Sequence, residues 1–479
     1  MVFQNNVLSG AGGSGTTVYE IDQSIRFNEA DSPYMQKTYS GDGSRTTWSF
    51  SFWTKLGKSP PYNSTRGNFL IAYNTSSGAQ EDIRIEGSNQ QLQWFTHNDG
   101  GTGTLADLKT TQYLRDHSAW YHILCVADRT NAVSSERQRM YINGQRVTDF
   151  ATETYPSQSA EGHVGKSADV HYIGSRGGNS NTRLDGYMAE IHYLDGLAYD
   201  PSFFGEFNDS GIWIPKEYTG SYGTNGFKID GRDASDLGDD ESGNGNDFTS
   251  YNLAAHDQVS DSPSNNFCVM SPIDFTYNTI KNGNLETIGG NNNKGGRGTM
   301  GFTSGKFYWE MLATTLSDRY PGSGVVYDEY ASSMPTAYAG GGTNHGAGAS
   351  HNGAKWYKQS TSGTQYGSHP SSGDIYMYAL DRDNNKIFWG VNGTWRNSGD
   401  PANGTGAVAS SLTHYGAWMP FVNHGSNAGA SASTFNFGQD GTFAGAKTAQ
   451  GNSDGNGVGN FYYSVPSGYL ALCTKNLGS

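Results

Sequence analysis

The sequence predicts an all-β chain of two β-sandwich domains joined by an irregular, β-rich linker, and three observations predict it. Asn-Gly stands twice between aromatic-rich segments, in Met140-Tyr141-Ile142-Asn143-Gly144-Gln145-Arg146-Val147 and in Ile387-Phe388-Trp389-Gly390-Val391-Asn392-Gly393-Thr394-Trp395. Both central residues of a type I′ turn need positive φ, so Asn-Gly between apolar strands is a strong hairpin signal, and one copy in each half points to two domains. Gly makes up 66 of the 479 residues and charged residues only 16%, while 13% are aromatic. Short strands joined by many turns have that composition. No amphipathic run of helical period and convincing length occurs.

Residues 1–20 are Gly/Ser/Thr-rich and cannot bury a core of their own, so they read as an N-terminal arm, either a frayed terminus, the commoner case, or a segment that orders against a partner. Regular patterning begins at Ser24-Ile25-Arg26-Phe27. Trp48, Phe50 and Phe52 alternate with Thr47, Ser49 and Ser51, the pattern of a half-buried strand. Trp120 to Ala127 is apolar on both faces apart from His122, as in a central strand covered on each side. The Asn143-Gly144 hairpin follows, and then Gly186-Tyr187-Met188-Ala189-Glu190-Ile191. In this order the segments resemble the laminin-G-like, concanavalin A-like jelly rolls. That resemblance covers about residues 20–205 and implies a sandwich domain over 21–205.

Residues 206–295 break the pattern. Ile212-Trp213-Ile214-Pro215 leads into an Asp/Gly/Asn-rich stretch, which reads as a linker of short strands and turns. The second domain is expected over 296–479. It opens with Gly305-Lys306-Phe307-Tyr308-Trp309-Glu310, makes a Gly/Ser/Ala/His-rich excursion from about 321 to 373, and resumes at Ile375 to Leu380. Asp381 to Lys386 is a turn before the second hairpin. Trp418-Met419-Pro420-Phe421 and Phe435-Asn436-Phe437-Gly438-Gln439 close it. These motifs resemble those of SPRY-type sandwiches over about residues 296–446.

With a formal net charge of −14 and no basic cluster in the sequence, nothing suggests a nucleic-acid binder. Cys125, Cys268 and Cys473 are odd in number and far apart, which argues against a disulfide framework. Cys-x-x-Cys and His-x-x-x-His spacings are missing, which argues against zinc. No apolar run reaches transmembrane length, and the N-terminus lacks the basic and apolar regions of a secretory leader, so synthesis in a cytoplasm without membrane insertion is expected. Glycosidases need two carboxylates facing each other across a cleft. The nearest candidate, Glu81-Asp82-Ile83-Arg84-Ile85-Glu86, puts arginine between Asp82 and Glu86 on one strand face and reads as a charge ladder. With no nucleophile elbow, P-loop or dinucleotide fingerprint either, the chain is expected not to be an enzyme.

Two segments carry candidate sites. The run Asp236 to Asp247 is rich in hard oxygens, and Asp236, Asp239 and Asp240 are the candidate ligands if it wraps calcium. Asx turns use the same residues, the spacing is not that of an EF-hand, and the turn reading is favoured. The excursion in the second half carries Tyr338, His351, Trp356, Tyr357 and Tyr366 among small residues. Aromatic platforms on a long loop suit a carbohydrate; a loop packed on its own sandwich or on a neighbouring subunit is the alternative.

Phe3-Gln4-Asn5-Asn6-Val7-Leu8, Ile212 to Gly223, Asp257-Gln258-Val259 with Asn265-Asn266-Phe267, and Pro466 to Leu477 resemble segments of tailed-bacteriophage virion proteins, especially marine ones. The resemblance implies a virion surface appendage, a tail fibre, head fibre or capsid decoration, with other virion proteins and a host-surface glycan as partners. A cement protein that recognises nothing outside the particle and a glycan-degrading enzyme are the alternatives. Phe3, Val7 and Leu8 form a small apolar set ahead of the Gly-rich hinge and are the candidate virion-docking residues. Self-association is left open, because no heptads announce a coiled coil.

Overall fold

The computed structural model describes residues 18–57, 66–87, 89–98, 103–274, 279–289, 294–316, 321–327, 346–350, 355–358, 364–368, 370–412, 416–424 and 431–477. The chain divides after Ser264 into two compact units. In the first, β1 (Ser24–Phe27), β2 (Tyr34–Lys37), β3 (Thr47–Leu56), β4 (Arg66–Tyr73), β5 (Gln80–Glu86), β6 (Gln91–His97), β7 (Thr104–Tyr113) and β8 (Tyr121–Asp128) come first. Then follow β9 (Gln138–Ile142), β10 (Gln145–Arg146), β11 (Phe150–Thr154), β12 (Val170–Gly174) and β13 (Gly186–Asp195). Short strands complete the unit: β14 (Gly205–Phe207), β15 (Trp213–Pro215), β16 (Phe227–Ile229), β17 (Thr249–Tyr251) and β18 (Gln258–Val259).

One sheet runs β10-β9-β8-β3-β13-β1-β18, with β16 added beside β13, and the other runs β11-β7-β6-β5-β4-β12-β2-β17. The alternation read in β3 sends Trp48, Phe50 and Phe52 into one core with Ile123 and Cys125 of β8 and with Ile83, Ile85, Trp94 and Leu108 of the other sheet. On the opposite face of β8, Leu124 and Val126 are covered by Phe204 and Tyr218. That second layer is why the strand is apolar on both faces.

The second unit contains β19 (Thr279–Lys281), β20 (Glu286–Gly289), β21 (Lys294–Arg297), β22 (Lys306–Thr315), β23 (Pro321–Tyr327), β24 (Gly346–Ser350), β25 (Lys355–Lys358) and β26 (Thr364–Gln365). It continues through β27 (Ile375–Asp381), β28 (Lys386–Val391), β29 (Thr394–Trp395), β30 (Trp418–His424), β31 (Ser431–Asn436), β32 (Leu470–Ala471) and the short helix α1 (Thr474–Leu477). Its sheets run β19-β20-β31-β22-β27-β28-β29, with β32 parallel to β22, and β21-β30-β23-β24-β25-β26. Trp309, Tyr378, Trp389 and Trp418 form the centre of its core. Glu310 faces the other side of β22. It accepts from Tyr308 Oη at 2.8 Å, the backbone N–H groups of Tyr462 and Tyr463 at 2.9 and 2.7 Å, and Asn436 Nδ2 at 3.2 Å. One buried carboxylate thus anchors the C-terminal segment.

Both Asn-Gly turns have the geometry the sequence calls for, with φ of 48° and 74° at Asn143 and Gly144 and of 49° and 78° at Asn392 and Gly393. Each Asn also ties its turn to the neighbouring strand. Asn143 Oδ1 accepts from the N–H of His122 at 2.7 Å, and Asn392 Oδ1 from that of Ile375 at 2.9 Å. Replacing Gly393 with Val should therefore lower the melting transition of the second unit and leave the first in place. The left-handed backbone alone costs a residue with a Cβ about 1–2 kcal/mol, more for a β-branched one. The added Cβ would also stand 3.1 Å from the Tyr463 ring. Equal loss in both transitions, followed by differential scanning calorimetry, would contradict this.

Residues 206–295 are not a separate linker. β16 pairs with β13, β17 with β2 and β18 with β1, so these residues up to Ser264 extend both sheets of the first unit. Lys55 Nζ and Asp261 Oδ2 meet at 2.8 Å with both side chains fully buried, and Trp120 Nε1 donates to Asp261 Oδ1 at 3.1 Å. From Asn265 onward the chain belongs to the second unit, where Phe267, Cys268, Val269 and Met270 are buried and β20 pairs with β31. The segment looked irregular because a three-residue strand needs only one or two apolar residues, such as Phe227 and Ile229 in β16.

Candidate functional site

The ladder read in β5 is half of a larger polar surface. Ile83 and Ile85 enter the core, so Asp82, Arg84 and Glu86 stand on the outer face of the second sheet of the first unit. Register supplies their neighbours. Arg66 pairs with Glu86 and Asn68 with Arg84 on one side, and on the other Phe95 pairs with Asp82 and Gln93 with Arg84. Asp107 of β7 stands opposite Phe95. A β-bulge between Asn68 and Leu70 shifts the β4 register at this point.

Arg84 organises the surface. Its Nη1 donates to Asp82 Oδ2 at 2.8 Å and its Nε to Glu86 Oε1 at 2.8 Å, while Nε and Nη2 reach Gln93 Oε1 at 3.0 and 2.8 Å. Burial alone would lower its pKa, but Asp82 and Glu86 more than offset this and raise it. Gln93 Nε2 passes the network to Asp107 Oδ1 at 2.6 Å, and Asn68 Nδ2 donates to Asp82 Oδ2 at 3.2 Å. The guanidinium lies 5.0 Å from the Phe95 ring centroid, and that of Arg176 lies 4.5 Å from the Tyr73 ring centroid. Farther along the sheet Tyr34 stacks on Tyr251 at 4.6 Å and meets Tyr172 edge-on.

Asp82 and Asn68 are fully buried, yet Asp82 Oδ1 and Asn68 Oδ1 accept no hydrogen bond, and the buried Nε of Arg66 has no acceptor. Those atoms are closed to a ligand; what this face offers outward is the half-buried set Arg66, Tyr73, Glu86, Phe95, Asp107 and Arg176, and this mix of charged groups and aromatic rings makes it the candidate binding surface. Planar polar side chains beside aromatic rings can receive a ring that is apolar on its faces and hydroxylated at its edge.

The candidate residues named from sequence are placed differently. Phe3, Val7, Leu8, Tyr338 and His351 lie outside the described residues. Trp356 and Tyr357 are on β25, between β24 and β26. Tyr366 follows β26 and is half-buried, packed against the core of the second unit.

The structure does not gather Asp236, Asp239 and Asp240 into a calcium site. Asp240 is buried and accepts from the N–H groups of Lys228 and Asn246 at 2.8 Å and of Ser242 at 2.9 Å. Asp236 Oδ1 accepts from the Gly238 N–H at 3.2 Å. These oxygens are engaged by turn N–H groups, the role that the Asx-turn reading gives them. Among the described residues no group of three or more His, Cys, Asp or Glu side chains is arranged to hold a metal. Desolvation, followed by the charges of Asp247, Asp236 and Asp233, raises the Asp239 carboxyl. A cleft of about 530 Å³ opens beside this loop. Its two carboxylates, Asp236 and Asp247, both accept turn hydrogen bonds.

A second polar cluster lies on the outer face of the first sheet. At a bulge in β13, Glu190 adopts φ 46° and accepts from Tyr19 Oη at 2.8 Å, with His192 Nε2 at 3.0 Å and Lys228 Nζ at 3.5 Å. Burial opposes its charge, yet His192, Lys228 and Tyr19 hold its carboxyl down at about 2. Nearby, Ser51 Oγ and His122 Nε2 are 2.8 Å apart. His122 Nδ1 has no partner and burial drives that imidazole down to about 3, so the pair lacks the third member of a catalytic triad.

A family model described as the concanavalin A-like lectin/glucanases superfamily matches residues 30–197. No curated protein matches the chain. Similar solved structures include the SPRY domain of human HERC1, at 17% identity and TM-score 0.28, covering 35% of this chain and 96% of that one. Another human SPRY domain is 16% identical at TM-score 0.26, covering 33% and 94%. A heptameric SAP-like pentraxin from Limulus polyphemus is 12% identical at TM-score 0.28, covering 38% and 80%. The first unit therefore carries a concanavalin A-like sandwich, and the surface around Arg84 belongs to it.

Proposed function

We propose that this chain is a non-catalytic glycan-binding protein displayed on the surface of a tailed-bacteriophage particle, and that the outer face of β4–β7 engages the carbohydrate. The observation that carries the binding reading is the pair of guanidinium–aromatic contacts, Arg84 with Phe95 and Arg176 with Tyr73, both rings half-buried on the outer face of a sandwich matched by a lectin/glucanase family model. Placement on a virion is supported by the segments in Phe3 to Leu8, Ile212 to Gly223 and Pro466 to Leu477.

The non-catalytic reading has physical support. A glycosidase acid needs a raised pKa and access to the glycosidic oxygen. Glu310 is raised to about 6 by burial, but its oxygens are closed off by Tyr308, Asn436, Tyr462 and Tyr463. Asp82 and Glu86 share Arg84 between them.

A glycan array probed with the full chain, together with antibody labelling of purified particles, tests the proposal. Retained, uncleaved glycan and labelled particle surfaces are expected. Shortened oligosaccharides in the wash would replace the binding reading with an enzymatic one, and unlabelled particles would remove the virion role.

A further inference from the structure

We propose that Lys55 and Asp261 form a covalent cross-linking site, in which the Lys55 amine condenses with the Asp261 carboxyl to give an amide and release one water.

This pair differs in kind from the other buried ion pairs of the first unit. Glu81 is matched by Arg129 and Asp257 by Arg26, and a guanidinium, which keeps its charge inside proteins, cannot act as the nucleophile. Lys55 is the one buried lysine among the described residues. Lys228 and Lys306 also meet carboxylates, but both keep contact with solvent. Lys55 Nζ lies 2.8 Å from Asp261 Oδ2, and neither side chain has any exposed surface. The Tyr187 ring centroid is 5.9 Å from Nζ, and Trp120 Nε1 donates to Asp261 Oδ1 at 3.1 Å. Both rings belong to an apolar cluster with Ile21, Trp53, Ala189 and Val259.

Backbone pairing fixes both reacting groups. Lys55 of β3 pairs with Tyr187 of β13. Asp261 follows β18, which pairs with β1, and its carbonyl accepts from Ser24 Oγ of β1 at 2.6 Å. Two groups held in contact need no encounter, and a site closed to water keeps hydrolysis from competing.

The step balances without an oxidant or reductant. One proton passes along the hydrogen bond from Nζ to Oδ2, turning ammonium and carboxylate into amine and acid. A dry interior penalises the charged pair and not the neutral one. The Nζ lone pair then attacks Cγ, and the carbonyl electrons move onto Oδ1, where the Trp120 N–H meets the developing charge. As the Cγ–Oδ1 double bond re-forms, the Cγ–Oδ2 bond breaks, and Oδ2 takes a second proton from Nζ and departs as water. The two carboxyl oxygens thus have separate roles, matching their separate partners. The product ties β3 to a residue 206 positions later, just before the chain leaves the first unit after Ser264.

Mass spectrometry of the denatured full chain tests this. Its mass should fall below that of its sequence by one water, about 18 Da. A tryptic digest should contain a branched peptide joining the segment around Lys55 to that around Asp261, uncut after Lys55. Lys55→Arg keeps the positive charge and cannot form the amide, so its mass should equal that of its own sequence. A wild-type mass equal to that of the sequence would overturn the proposal, as would separate, unlinked peptides carrying Lys55 and Asp261. A water loss that persists in Lys55→Arg, as from an Asp-Gly succinimide, would overturn it too. The wild-type digest decides the matter even where the variant fails to fold.

Discussion

Replacing Glu81 with Ala should lower the stability of the first unit by about 3–5 kcal/mol, the cost of stranding one partner of a buried ion pair. Glu81 sits on the core face of β5, alternating with Asp82 on the outer face, and both it and Arg129 are fully buried. Its carboxylate pairs with Arg129 Nη2. It also accepts from Trp94 Nε1 at 2.9 Å and from the N–H groups of His163 and Val164 at 2.8 and 3.3 Å. Removing it leaves a guanidinium inside the sandwich and orphans three further donors. Burial opposes the charge, but Arg129, Trp94 and the His163 N–H outweigh it and lower the Glu81 pKa. Urea unfolding followed by tryptophan fluorescence reads the change. A loss under about 1 kcal/mol, the range of an exposed pair, would show that the network is solvated.

Acidification should unfold the first unit well before the second. His117, His122 and His171 in the first unit are held neutral, chiefly by burial, at about 4, 3 and 4 against an ordinary 6.5. A depressed pKa contributes stability that is present above the unfolded value and lost as pH falls below it. From pH 7 to pH 5 each of these imidazoles removes on the order of 2 kcal/mol. The second unit has one such residue among those described, His424, lowered to about 4 by burial. Glu310 opposes it. Its pKa is raised from 4.5 to about 6, so its protonated form contributes stability fully present below 4.5 and lost as pH rises through 6. Acidifying to pH 5 therefore returns on the order of 1 kcal/mol to the second unit. Below pH 4.5 the first unit loses more, because Glu190 is held at about 2. Calorimetry at pH 7 and pH 5 should show one transition falling steeply while the other moves little. Parallel movement of both would contradict the assignment.

What was legible in the sequence was local. The Asn-Gly turns and the alternation of Trp48, Phe50 and Phe52 are set by neighbours in the chain: the turns have the expected geometry and the three aromatics enter the core, but Ser49 and Ser51 are buried as well, so β3 is covered on both faces and is not the half-buried strand expected. The boundary at Ser264 was not legible, because β16, β17 and β18 are too short to show a period and are defined by partners more than a hundred residues upstream in two cases. The site was half legible. The outer face of β5 followed from alternation, but Asn68, Gln93 and Asp107 join it through register, which a single strand does not encode and which the bulge after Asn68 alters. Glu81 went unread for a related reason: a charge on a core face implies a partner, and Arg129 lies 48 residues away.

Hydrogen–deuterium exchange of the full chain with and without the tightest oligosaccharide from the array tests the central claim most directly. Slowed exchange should concentrate in residues 66–73, 80–86 and 91–97, the strands that carry Arg66, Asn68, Asp82, Arg84 and Phe95. Protection centred instead on residues 346–350 and 355–358 of the second unit, with β4–β6 unchanged, would contradict the account and return recognition to the aromatic loop.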